Sequence, residues 1–105
     1  TIVNDKIESS AINEVFYGVS DFPMVSSTKS MHGHLIGGAG AIELVSCLMA
    51  LNHNVIPPTI NFEQNDPNCD INIVVNTMKE KKIEYALSNA FAFGGTNSTL
   101  IMKKF

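Results

Sequence analysis

The segment from Ala39 to Asn52 restricts this chain more than any other. Ala41, Ile42, Leu44, Val45, Leu48, Met49 and Leu51 recur so that apolar residues cover most of a helix circumference. A helix apolar nearly all round is normally buried in a large protein. The chain has 105 residues, 45% of them hydrophobic, enough for one core. Surrounding such a helix completely is hard at that length. The pattern therefore predicts a missing partner, because a free-standing small binding domain would expose a large apolar patch.

Other elements follow from periodicity and breakers. Ile7, Ala11, Ile12, Val15 and Phe16 predict an amphipathic helix over 5–16, opened in capping style by Asp5-Lys6-Ile7-Glu8 and ended by Gly18. Met24-Val25-Ser26 reads as a short strand, and residues 27–38 as a loop dense in glycine and hydroxyls. Pro57-Pro58 excludes a helix interior over 55–61. Asn65-Asp66-Pro67-Asn68 is a turn, 71–75 a short strand and 83–91 a longer one. Gly94-Gly95 breaks the pattern, and 98–103 returns antiparallel. Helix, strand, helix, strand, then hairpin is an α/β order.

Composition excludes several functions. The net charge of −3 and the absence of a basic run longer than two lysines leave no footprint for nucleic acid. No apolar run approaches the ~20 residues of a membrane span, so no membrane is expected. The opening Thr1-Ile2-Val3-Asn4-Asp5 has no initiator Met and resembles no leader peptide, as if the chain began inside a longer one. Two cysteines make neither a disulfide scaffold nor a metal spacing. Cys47 lies on the apolar helix as an expected inert core thiol. Cys69 sits in a turn between Asp66 and Asp70, whose charges disfavour a thiolate.

Chemistry concentrates in two segments. In Ser26-Ser27-Thr28-Lys29-Ser30-Met31-His32-Gly33-His34, a lysine and a histidine stand five residues apart before a glycine-rich helix entrance. The helix dipole there favours a neutral His34, able to donate a hydrogen bond to a developing oxyanion or enolate. The plainer reading is a histidine that caps the helix. Lys29 is either a surface charge or a fixed positive charge near His34. Glu43 is the one charge on the apolar helix, and if buried it needs a partner such as Lys29. His32-x-His34 without nearby carboxylate or Cys partners does not make a zinc site. Gly37-Gly38-Ala39-Gly40 lacks the Gly-Lys-Ser/Thr of a phosphate loop and the spacing of a dinucleotide fingerprint. In Phe91-Ala92-Phe93-Gly94-Gly95-Thr96-Asn97, paired glycines form a hinge, and Phe93 before it suits a gate over an apolar channel. An ordinary hairpin with Phe93 in the core is the alternative.

Six ordered motifs resemble the elongating β-ketoacyl-acyl-carrier-protein synthases. They are Ser26 to Met31, Gly33-His34-Leu35, Ala39-Gly40-Ala41-x-Glu43, Pro57 to Asn61, Asp66-Pro67-x-Cys69-Asp70, and Ser88-Asn89-x-Phe91-x-Phe93-Gly94-Gly95-Thr96-Asn97. Gly-His-Leu and Pro-Pro-Thr-Ile-Asn look more like synthase II than synthase I. An initiating synthase III would carry Asn in place of His34. The resemblance covers residues 1–105 and implies the C-terminal part of a layered α/β/α thiolase-like fold with a mixed sheet. It implies a Cys-His-His triad in which His34 matches the second histidine, Lys29 its supporting lysine and Glu43 that lysine's buried partner. Phe93 matches the gating residue, with its backbone N–H as an oxyanion-hole donor. Thr1, Phe91, Gly94, Gly95, Thr96 and Asn97 match substrate-binding positions. Glu43, Ser88 and Asn89 match positions that hold a monovalent cation in some members, a weak correspondence.

The nucleophilic Cys and first His would lie upstream of Thr1, so this stretch alone should be inactive. The expected partners are acyl- and malonyl-loaded carrier protein, the remainder of the synthase and a second copy in a homodimer. No cofactor is expected, and the compartment is a bacterial cytosol or a plastid-type organelle. A polyketide ketosynthase domain and a non-catalytic chain-length factor are the alternatives. His32, Gly38 and Ala92 depart from the common Thr, Ala and Gly.

Overall fold

A computed structural model describes all 105 residues, the Ile2 side chain excepted. The chain forms α1 (Ile2–Val15), α2 (Lys29–His32), a 3₁₀ turn (Ile36–Gly38) and α3 (Ala39–His53). Four strands follow: β1 (Val55–Ile56), β2 (Lys79–Glu80), β3 (Tyr85–Ala92) and β4 (Thr96–Lys103). The α/β order read from the sequence is present.

Helix α1 begins a turn before the expected Asp5. Thr1 is its N-cap, and the Thr1 hydroxyl accepts the Asn4 N–H at 3.1 Å. A Thr at this position satisfies one of the orphan N–H groups, which moves the start upstream. Asp5 then falls in the first turn, where a negative charge suits the dipole. The helix closes at Phe16, whose ring meets Phe22 edge-on at 6.3 Å.

The expected loop 27–38 is partly helical, because its hydroxyls and ring nitrogens hold two tight turns. The expected strands 24–26 and 71–75 shrink to single parallel bridges, Val25 to Ile73 and Thr59 to Val75. Pro57 has no N–H to extend the second ladder backwards, and Asn61 and Asn76, left-handed at φ 60° and 57°, end it forwards. The 72–76 segment still joins both neighbours. Val25 N–H donates to Asn72 O, Val74 N–H to Val25 O, and Thr59 N–H to Val74 O. Strand β2 went unread because Lys79 and Glu80 are charged and exposed, yet it pairs antiparallel with β1.

Strands β3 and β4 form an antiparallel hairpin in register from Tyr85–Lys103 to Ala92–Thr96. Its loop is Phe93-Gly94-Gly95. Both glycines have φ near +80° (83° and 78°), a region closed to most side chains. The two antiparallel pairs with the two parallel bridges give the mixed strand directions expected.

Helix α3 packs against β3, β4 and β1. It ends on Asn54, left-handed at φ 55°, whose carbonyl O and Oδ1 accept from the N–H groups of Lys81 and Ile83. Its apolar circumference is only partly covered: Ala39 and Leu51 are buried, while Val45, Leu48 and Met49 are about half exposed. The Cα radius of gyration of 13.4 Å equals that of an independent domain of this length, about 13 Å. Yet Ser9, Ala39, Leu51, Cys69 and Val74 alone are buried among the described residues. The outline is compact and the core is open, as the apolar helix implied.

The 3₁₀ turn and α3 together make an 18-residue helical segment, Ile36–His53, of mean hydropathy 1.2, long and apolar enough to cross a membrane. Glycines and Glu43 interrupt its apolar residues, so no unbroken apolar run marks it. In this fold the segment lies against the hairpin and carries an ion-paired Glu43.

Candidate functional site

The Lys29 ammonium donates to Glu43 Oε1, joining the first residue of α2 to the second turn of α3. The Glu43 side chain is 13% exposed and that of Lys29 38%. A carboxylate this buried needs a cationic partner, and the expected pairing is formed. The segment bearing Lys29 is anchored to the Pro-Pro-Thr-Ile motif. Ser27 N–H donates to the Thr59 hydroxyl at 2.9 Å, and Ile60 N–H to the Ser30 hydroxyl at 3.0 Å. Ser30 in turn donates to Ser27 O. These hydroxyl anchors were not singled out from the sequence, although both motifs were; nothing in the spacing says which backbone groups meet.

His34 follows Gly33, which has φ +77° and so favours glycine. The His34 ring is exposed, and its Nδ1 accepts the Ile36 N–H at 3.0 Å. An accepting Nδ1 selects the neutral tautomer with the proton on Nε2. That Nε2–H is an outward donor. The cause differs from the one expected: α3 begins only at Ala39, beyond the 3₁₀ turn, and a helix dipole fades within a turn. A single backbone N–H selects the tautomer instead. Ile36, which supplies it, is left-handed at φ 49°, rare for a β-branched residue and a common mark of functional sites.

The His32 nitrogens are both engaged, Nδ1 with Gly33 O at 2.8 Å and Nε2 with the Thr28 hydroxyl at 3.0 Å. Cys47 stands one turn beyond Glu43 on α3. Burial pushes its thiol pKa up, and the Glu43 charge pushes the same way. Cys47 is half-buried where full burial was expected, while Cys69 in its turn is buried.

On the hairpin, Phe93 is fully exposed, which removes the core reading of that ring. Phe91 is about half exposed, and Gly94, Gly95, Thr96 and Asn97 are exposed. Thr96 and Asn97 belong to β4, so the loop is shorter than the sequence break implied. Asn89 donates to Glu8 Oε1 at 3.2 Å and accepts from the Thr99 hydroxyl at 2.8 Å, tying α1 to both strands. Ser88, adjacent on the strand, points to the opposite face. Of the weak cation candidates, Glu43 therefore already holds an ammonium and the Asn89 oxygen a hydroxyl. Thr1 caps α1, and its hydroxyl proton is free to donate.

The sequence profile of the β-ketoacyl synthase C-terminal domain matches residues 1–63. Nodulation protein E of Rhizobium sp. (strain N33) is 44% identical over 104 residues, covering 99% of this chain and 26% of that protein. The 3-oxoacyl-[acyl-carrier-protein] synthase 2 of Coxiella burnetii (strain RSA 493 / Nine Mile phase I) is 46% identical over 100 residues, 95% of this chain and 24% of that one. Among solved structures, the ishigamide ketosynthase/chain length factor superposes with a TM-score of 0.90 at 40% identity, over 97% of this chain and 25% of its own. A type II PKS acyl-carrier protein in complex with its ketosynthase gives 0.88 at 33% identity, over 93% and 24%. The chain spans about a quarter of the length of these relatives.

Proposed function

From the premise that this chain belongs to the β-ketoacyl synthase family, through its C-terminal domain, we propose that it is the C-terminal part of an elongating 3-oxoacyl-[acyl-carrier-protein] synthase of type II. The fold is the thiolase-like α/β fold of the ketosynthases. The observation that carries the reading is the His34 ring, set by the Ile36 N–H to present Nε2–H outward, close in sequence to a Lys29 fixed by Glu43.

A Cys in the rest of the synthase takes an acyl group from carrier protein as a thioester. Malonyl-carrier protein then loses CO₂, and negative charge develops on its thioester oxygen. The His34 Nε2–H donates to that oxygen, and the Lys29 charge stabilises the same region. The resulting carbanion attacks the acyl-enzyme carbonyl, and the Cys thiolate leaves. The Phe93 N–H serves as one oxyanion donor, and its ring closes the acyl channel. Phe91, Gly94, Gly95, Thr96, Asn97 and Thr1 line the approach of the carrier arm. The partners are carrier protein, the rest of the synthase chain and a second copy. The compartment is a bacterial cytosol or a plastid-type organelle.

The ishigamide ketosynthase/chain length factor likeness favours a second reading, a polyketide ketosynthase or its non-catalytic partner. Retention of Lys29 and His34 together supports an active enzyme. The test is carried out on the intact protein. Acyl-carrier protein should acylate an upstream Cys, and His34→Ala should leave that step intact. Malonyl decarboxylation should fall by about 10²–10³-fold, the usual loss of an oxyanion donor. Absence of an acylated Cys would select the non-catalytic partner. Normal decarboxylation by His34→Ala would overturn the mechanism.

A further inference from the structure

The reaction above leaves His32 without a role, yet both its ring nitrogens are bonded. Gly33 O, 2.8 Å from Nδ1, can only accept, so Nδ1 carries a proton. In the neutral ring, Nε2 then accepts from the Thr28 hydroxyl at 3.0 Å. Thr28 stands at the N-cap of α2, where a threonine hydroxyl ordinarily accepts from a backbone N–H. Here it caps nothing and turns to His32.

The two bonded residues are the immediate neighbours of the two residues assigned to chemistry: Thr28 precedes Lys29, and Gly33 precedes His34. A helix of four residues is too short to hold itself by propensity. At its far end, Gly33 has the conformational freedom of a glycine at positive φ. The ring spans this weak turn and pins both ends.

We propose that His32 is a positioning residue, its imidazole bracing the Thr28–Gly33 turn and thereby fixing the placement of Lys29 and His34. Its catalytic consequence rests on the ketosynthase reading.

The experiment compares His32→Ala and His32→Asn in the intact synthase. An Asn amide can keep the donor to Gly33 O. His32→Ala should lower kcat for malonyl-carrier decarboxylation about tenfold, since small misplacements of catalytic groups have large effects on rate. KM and acylation of the upstream Cys should stay unchanged, and His32→Asn should recover most of the loss. An equal fall in both half-reactions, or no fall, overturns the proposal. Nitrogen NMR of the imidazoles decides the brace independently of activity. Wild type should show His32 protonated at Nδ1 and His34 at Nε2. In His32→Ala, the His34 signal should move towards a mixture of tautomers. An unchanged His34 spectrum refutes the brace. If wild type neither acylates nor decarboxylates, the ketosynthase reading falls, and the NMR comparison still judges His32.

Discussion

Replacing Lys29 by Met keeps an apolar stem and removes the charge, leaving the Glu43 carboxylate alone. Breaking a fully buried pair from one side costs about 3–5 kcal/mol, whereas an exposed pair contributes about 0–1 kcal/mol. Glu43 is 13% exposed and Lys29 38%, so water reaches the pair mainly from the lysine side. Interpolating between those limits, Lys29→Met should destabilise by about 2 kcal/mol. With a urea slope of about 1–3 kcal/mol per M, the midpoint should fall by roughly 1 M. Glu43→Gln removes the charge and keeps an acceptor, so it should lose about 1 kcal/mol. The double variant has no stranded charge and should be more stable than Lys29→Met alone, a coupling of about 2 kcal/mol. Urea unfolding followed by far-UV circular dichroism measures all three. A double variant less stable than Lys29→Met, or a coupling near zero, would refute the buried-pair reasoning.

Two further outcomes follow from local features. Ile36→Gly should leave stability unchanged or raise it by up to about 1.5 kcal/mol, because a left-handed L-residue costs about 1–2 kcal/mol and Gly gives back about 0.5–1 in entropy. The Ile36 side chain is 78% exposed, so little apolar burial is lost. A loss above about 1 kcal/mol in thermal unfolding would count against the left-handed backbone there. The Cys47 thiol should alkylate slowly at pH 8, since burial, then Glu43, raises its pKa and a raised pKa means less thiolate at any given pH. Its rate–pH curve, read by peptide mass after iodoacetamide, should be displaced to higher pH than that of an exposed cysteine. Coincidence with the exposed curve would contradict the burial.

The helices α1 and α3, the Asp66 turn, the glycine break and the antiparallel return were legible because periodicity, caps and breakers act over a few residues. So was the difficulty of surrounding an apolar α3 within 105 residues, and Val45, Leu48 and Met49 are left half exposed. Glu43 was legible as the one charge on an apolar helix, whereas Lys29 and His34, ordinary residues for a loop, were singled out by the family resemblance. What the sequence could not decide was where each hydrogen bond goes. The tautomer of His34 depends on one N–H of a left-handed Ile36, a conformation no propensity predicts for isoleucine. Likewise, β2 exists only because β1 lies beside it, and 71–75 falls short of a strand because the backbone turns left-handed at Asn61 and Asn76 just beyond the bridge. Pairings between residues distant in sequence are chosen by competition among donors and acceptors in three dimensions, and that competition leaves no local trace.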